Sequence, residues 1–199
     1  YSIASSTVPA GATYQLPETH GPTGLIDNDG RTQCDPKQIP FEVAMEYSCN
    51  TTFAQLGIEV GAEAMLEQAA HAVDALAAAG KIALLEPFVS RRADGRLAND
   101  LTPDAVIRSI AVASALGSTS RHTWLKLPCV PDMERVMAAS SLPVLLLGGP
   151  VTPNLDDKVR SWSESLRLPN VKGLVIGRAL LFPRDGDVAG AVDRIVEVL

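Results

Sequence analysis

The sequence predicts an α/β protein: four parallel β/α units in the C-terminal part, preceded by an irregular, partly helical N-terminal segment. Three observations predict it. Four short apolar runs recur after Gly80: KIALLEPF (81–88), TWLKLPC (123–129), LPVLLLGG (142–149) and VKGLVIGR (171–178). Each is followed by a stretch of helical period: TPDAVIRSIAVASALG, PDMERVMAAS, NLDDKVRSWSESL and DVAGAVDRIVEVL. Strands apolar on both faces that alternate with helices mark parallel β/α units. The first 40 residues, in contrast, are rich in Ser, Thr, Pro, Gly and Asn and hold neither a period of 2 nor one of 3.6.

In chain order, turn residues such as Asn28-Asp29-Gly30 punctuate the first segment. Amphipathic character begins at IPFEVAMEYS, where Phe41, Ala44, Met45 and Ser48 fall on one helical face. NTTFAQLGIEVG reads as a second short helix capped by Asn50 or Thr51 and ending near Gly57 or Gly61. The alanine-rich AEAMLEQAAHAVDALAAAG is a long helix stopped at Gly80. Strands are expected at about 81–87, 123–127, 143–147 and 172–176. The helix after the first opens on Thr102-Pro103-Asp104: a cap, a proline suited to the first helical position and an acid suited to the helix dipole.

Composition narrows the function classes. A formal charge of −6 with 17 Lys+Arg lacks the concentrated basic face that nucleic acid requires. No apolar run approaches the ~20 residues of a membrane span, and no leader pattern marks export. Cys34, Cys49 and Cys129 are far apart without metal-ligand spacing, and the odd count suggests reduced thiols. His20, His71 and His122 are scattered. Neither metal nor cofactor is expected.

In parallel β/α folds chemistry gathers at the carboxyl ends of the strands. Those ends carry Glu86, Lys126, Gly148-Gly149 and Gly177-Arg178. A partly desolvated lysine loses some preference for the charged form, and its neutral amine attacks carbonyls to form a Schiff base. Glu86 beside it would carry protons, while the glycine turns would present N–H groups to an anion. Each residue also has a structural reading. Lys126 can snorkel to solvent, Glu86 can accept bonds in a loop, the glycines can serve plain turns, and Arg178 can form a surface ion pair. Cys129 reads as a small core residue. Trp124 shares a face with Lys126, opposite Leu125 and Leu127, and would need room inside a barrel.

LEPF, WLKLP, VLLLGGP and GLVIGRALL resemble strands five to eight of class I (β/α)₈ aldolases of the deoxyribose-phosphate, fructose-bisphosphate and tagatose-bisphosphate type. The resemblance spans residues 69–199 and implies half of a (β/α)₈ barrel. It places Lys126 as the Schiff-base lysine and Glu86 as a proton carrier. It makes Gly148, Gly149, Gly177 and Arg178 the phosphate-binding turns. It further implies a lyase acting without metal or cofactor on a small phosphorylated carbonyl compound, in the cytoplasm, with activity in doubt where strands one to four are missing.

STVPAGATYQLPETHG and IPFEVAMEYSCNTTFAQLGIEVGAEAMLEQA resemble a penicillin-binding protein transpeptidase domain. That resemblance assigns Ser48 and Asn50 to its S-x-N motif, although no S-x-x-K nucleophile or K-[ST]-G strand is present. The alternatives to an aldolase-like lyase are thus an inactive D,D-transpeptidase fragment or a non-catalytic fusion, joined near Gln68 to His71. Two open sheet edges, at 81–88 and 171–178, predict association of copies of the chain. No nucleic-acid or membrane partner is expected.

Overall fold

The computed structural model describes residues 6–15, 17, 25–28, 30–47, 49–93, 96–149, 155–181, 183 and 186–197. It divides into two compact units, Tyr1–Gln68 with Ser90–Ala98, and Ala69–Val89 with Asn99–Leu199.

The first unit contains four three-residue strands, β1 (Thr7–Pro9), β2 (Thr13–Gln15), β3 (Leu25–Asp27) and β4 (Gln38–Pro40). They pair antiparallel as β1 with β4 and β2 with β3. Helix α1 (Phe41–Glu46) and helix α2 (Asn50–Val60) follow, and α3 (Ala62–Ala78) begins in this unit. No strand was expected among the first 40 residues, because three-residue strands are too short to display a period. A small core forms around Val8, Cys34, Ile39, Ala44 and Cys49, with Phe41, Tyr47 and Leu56 packed against it. Asn28, almost wholly buried, knits the pieces together. Its Nδ2 donates to the Gly11 carbonyl at 2.8 Å, and its Oδ1 accepts from the Thr51 backbone N–H at 3.0 Å.

Cys34 and Cys49 are joined in a disulfide, which corrects the expectation of reduced thiols. The odd count misled because one cysteine, Cys129, belongs to the other unit and stays free. The bridge spans 15 residues, so it stabilises this unit by about 3 kcal/mol, chiefly by constraining the unfolded chain.

A second departure lies between residues 88 and 102, where no strands were expected. Strands β6 (Ser90–Ala93) and β7 (Arg96–Asn99) form a two-stranded sheet. The Asp94-Gly95 dipeptide between them is a strong hairpin signal in the sequence itself.

The second unit holds β5 (Ala83–Leu85), α4 (Pro103–Ser114), β8 (Thr123–Pro128), α5 (Met133–Ala138), β9 (Val144–Leu147), α6 (Leu155–Leu166), β10 (Val171–Val175), the short α7 (Arg178–Leu181) and α8 (Val188–Val196). Its four strands form one parallel sheet in the order β10-β9-β8-β5. This is the α/β architecture the sequence implied, and the sheet is open rather than a closed barrel. The end strands β5 and β10 are the two predicted edges.

Local signals explain the helix ends. Thr102 caps α4, its Oγ1 accepting from the Ala105 N–H at 3.3 Å with Pro103 next in line. Gly80 takes the left-handed conformation (φ +65°) just past α3, and the Lys81 N–H reaches back to the Leu76 carbonyl at 2.8 Å, the closing bond of a Schellman motif. Asp187 caps α8 through the Gly190 N–H at 2.9 Å.

Alternation along the strands sorts side chains to two faces. Leu125, Leu127, Val144 and Leu146 are fully buried, in one core with Val106, Ile110, Val136, Trp162 and Ile195 of the helices. Burial of each such aliphatic side chain contributes about 1.5–3 kcal/mol. On the opposite face, Leu84 is 46% and Val175 40% exposed, while Trp124, Lys126, Leu145 and Leu147 are partly buried. Thus, among the described residues, only one face of the sheet lies under helices. No helix among the described residues is long and apolar enough to cross a membrane.

Asp74 on α3 accepts from the Ser118 backbone N–H at 2.7 Å and from the Ser118 hydroxyl at 2.8 Å. These bonds, the backbone one foremost, hold its carboxyl below the ordinary aspartate value of 3.8. A depressed carboxyl adds stability above its unfolded value, and that stability fades as pH falls through the folded one. We therefore expect Asp74→Asn to be less stable than the parent at neutral pH, with the difference closing below about pH 4, as read by urea titrations across pH. Thiol titration of denatured protein should find one free thiol without reductant and three with it. Paired Cys34→Ser and Cys49→Ser substitution should lower the stability of the first unit by about 2–4 kcal/mol.

Candidate functional site

The lysine within TWLKLPCV is explained by strand alternation. Leu125 and Leu127 point into the helix-covered core, which sends Lys126 to the other face beside Trp124. On that face the indole is partly buried, and its neighbour Leu84 is 46% exposed. Glu86 lies one residue past the end of β5, and Pro87 after it favours an extended backbone at this position. The β5–β8 register sets Leu84 beside Trp124, and two residues further on each strand the side chains of Glu86 and Lys126 meet. Lys126 Nζ lies 2.8 Å from Glu86 Oε2, with the two side chains 24% and 42% exposed. The amine is thus held by a partner at the strand ends and does not extend into bulk solvent.

The glycine turn after β9 departs from expectation at one atom. The Gly148 N–H donates to the Val175 carbonyl at 3.1 Å, continuing the ladder with β10, so it is not open to an anion. The physical reason is close packing: a Cβ at Gly148 would sit 2.9 Å from Ile176 Cγ2, so glycine here lets two strand ends approach. Gly149 has φ +67° and turns the chain away from the sheet. Thr152 and Asn154, which follow the turn in sequence, lie outside the described residues. The Gly177 carbonyl accepts from the N–H groups of Leu180 and Leu181, both at 3.0 Å, as the chain enters α7. The Arg178 side chain lies outside the described residues.

Sequence reasoning missed Lys158. On α6 it reaches back to the GG turn, its Nζ donating to the Gly148 carbonyl at 2.9 Å and lying 5.9 Å from the Trp162 ring centroid. The available signal was the Lys158–Trp162 spacing of four, which stacks the two on one helical face. A cleft of about 450 Å³ opens here, lined by Glu86 and Phe88 after β5, Pro128 and Cys129 at the end of β8, Leu147 to Gly149, and Lys158, Ser161 and Trp162 of α6. Of the predicted residues, Glu86, Gly148 and Gly149 border this cleft, and Lys126 joins it through Glu86. Gly177 is not among its walls. Cys129 Sγ lies 3.0 Å from Ser161 Oγ and 3.3 Å from Ser165 Oγ. No cluster of three or more metal-ligating side chains occurs among the described residues.

In the first unit, Ser48 lies outside the described residues. Cys49, not Asn50 or Thr51, caps α2, and its side chain makes no capping bond. Disulfide bonding explains the shift, since it fixes Cys49 where the helix begins. Asn50 instead donates through Nδ2 to the Asp27 carbonyl at 3.0 Å.

Comparison with known proteins bears on this arrangement. A family model described as Cgl0159-like matches residues 51–196. The crystal structure of Cgl0159 from Corynebacterium glutamicum is 50% identical, with a TM-score of 0.65, over 68% of this chain and 45% of that one. An archaeal fructose-1,6-bisphosphate aldolase, its catalytic Lys covalently bound to the carbinolamine intermediate of its substrate, is 20% identical with a TM-score of 0.53, over 67% of this chain and 51% of that one. A Schiff-base-forming fructose-1,6-bisphosphate aldolase is 19% identical with a TM-score of 0.53, over 82% and 65%. The last two similarities establish a shared fold. This chain therefore spans about half to two-thirds of the length of these structures. None of the curated proteins matches it. Nothing in these matches supports the transpeptidase resemblance, and the family match takes in residues 51–68, which that resemblance had claimed. With residues 51–196 matched, the chain belongs to the Cgl0159-like family.

Proposed function

We propose that the second unit carries the imine-forming half of a class I aldolase-type lyase, directed at a small phosphorylated carbonyl compound. The observation that carries this reading is the 2.8 Å contact between Lys126 Nζ and Glu86 Oε2 at the carboxyl ends of neighbouring strands. An ion pair this exposed adds about 0–1 kcal/mol to stability, so stability does not account for a lysine in the middle of a sheet. Supporting it is the shared fold with aldolases that form a Schiff base or carry a carbinolamine on lysine.

The chemistry follows from the geometry. Lys126 must shed a proton before its nitrogen can attack, and Glu86 is within hydrogen-bond reach to accept it. Attack on a carbonyl carbon forms a C–N bond and a carbinolamine. The same carboxyl returns the proton to the departing hydroxyl, which leaves as water and yields the imine. The iminium is the electron sink for cleaving the adjacent C–C bond, and hydrolysis restores the amine. Positive charge for a substrate phosphate comes from Lys158 at the GG turn, with Gly149, Gly177 and Arg178 as the further contacts implied by the aldolase resemblance. Imine formation needs only the Lys126–Glu86 pair, whereas complete turnover draws on groups beyond these four strands.

Borohydride reduction in the presence of dihydroxyacetone phosphate should add one substrate-derived mass to the peptide containing Lys126. Lys126→Met should abolish that adduct, and Glu86→Gln should slow its formation by about 10²–10⁴-fold, with near-UV circular dichroism unchanged. Adducts spread over surface lysines, or none at all, would refute the assignment.

A further inference from the structure

We infer that a second copy of this chain covers the open face of the β5–β8–β9–β10 sheet, so that two half-barrels close into one eight-stranded barrel about a two-fold axis parallel to the strands. Parallel sheets occur almost only with both faces covered. Here one face bears Leu84, Trp124, Lys126, Leu145, Leu147 and Val175, with Leu84 46% and Val175 40% exposed. These side chains are apolar except Lys126, whose charge is already met by Glu86. Burial of the face would therefore strand no lone charge.

The edges point to the same occupant. β5 and β10 end the sheet, and all four strands run in one direction. Rotation about an axis along the strands preserves that direction, so β10 of one copy meets β5 of the other in parallel sense, twice, and no edge is left. Eight strands is also the number at which inward side chains fill a barrel. Among the described residues, every other strand is paired two by two in a small separate sheet. A symmetric closed pair is the commonest soluble assembly. It would place two Lys126–Glu86 pairs around one interior, shielding each from water.

Light scattering on the full chain after size exclusion, at tens of micromolar, should give twice 21.0 kDa with no larger species. Leu84→Lys and Val175→Lys should each raise the dimer dissociation constant on the order of tenfold or more. Val112→Lys, at an exposed position of α4, should leave it unchanged. Because a charged variant can misfold, hydrogen exchange on the unaltered protein provides a second readout. Amides of 83–85 and 171–175 should gain protection together as concentration rises through the dissociation constant. A monomer at these concentrations, a ladder of ever larger species, edge amides indifferent to concentration, or a different polypeptide co-purifying in place of the second copy would each overturn the inference. Mass and exchange are read without substrate, so this result stands apart from the borohydride trap.

Discussion

A parallel sheet whose crossover helices all pack on one side must send half of its side chains somewhere else, and this constraint governs the second unit. Leu125, Leu127, Val144 and Leu146 go to the helices and supply its core. The intervening positions have no such partner. Lys126 therefore appears misplaced in a linear reading and well placed in the fold. It stands between two core leucines in sequence, yet its amine emerges on the opposite face, where Glu86 from the neighbouring strand meets it. The parallel register that aligns Leu84 with Trp124 is what makes that meeting possible.

Much of this was legible because the relevant signals are local. The four apolar runs, the Thr102-Pro103-Asp104 helix start and the stop at Gly80 each depend on a few adjacent residues, and each appears where the pattern placed it. Legibility failed where structure depends on distant partners. Strands β1 to β4 are three residues long and defined only by pairing across intervals such as Val8 with Ile39. The Cys34–Cys49 bond is equally non-local. At the site, the glycine pair reads in the sequence as either a plain turn or an anion pocket, and the close approach it makes depends on a distant strand end. Ile176 and the Val175 carbonyl occupy the space and the N–H that a phosphate was expected to use. Lys158 comes from a helix, and its approach to the Gly148 carbonyl is visible only once α6 is packed against the strand ends.

The two units also differ in what holds them. The first has few fully buried aliphatic side chains and relies on a disulfide, with buried polar bonds around Asn28 and Thr51. Small cores of this kind are commonly stapled, and such bonds persist in oxidising surroundings. The second unit has a continuous aliphatic core and one free cysteine, placed among Ser161 and Ser165. The disulfide and the free thiol thus belong to different units.

In the proposed reaction the ion pair at the strand ends would act in two opposed ways. A protonated amine cannot attack a carbonyl. Yet the Glu86 carboxylate is the nearest base, so the proton has only a hydrogen bond's length to travel. Which effect prevails depends on water. In an open sheet both groups are partly exposed to water. If a substrate or a covering half-barrel displaces that water, separated charges become costlier, and transfer of the proton to Glu86 yields two neutral groups ready to react. A covered face would therefore do more than finish a barrel. It would convert a weak surface contact into a nucleophile and its acid.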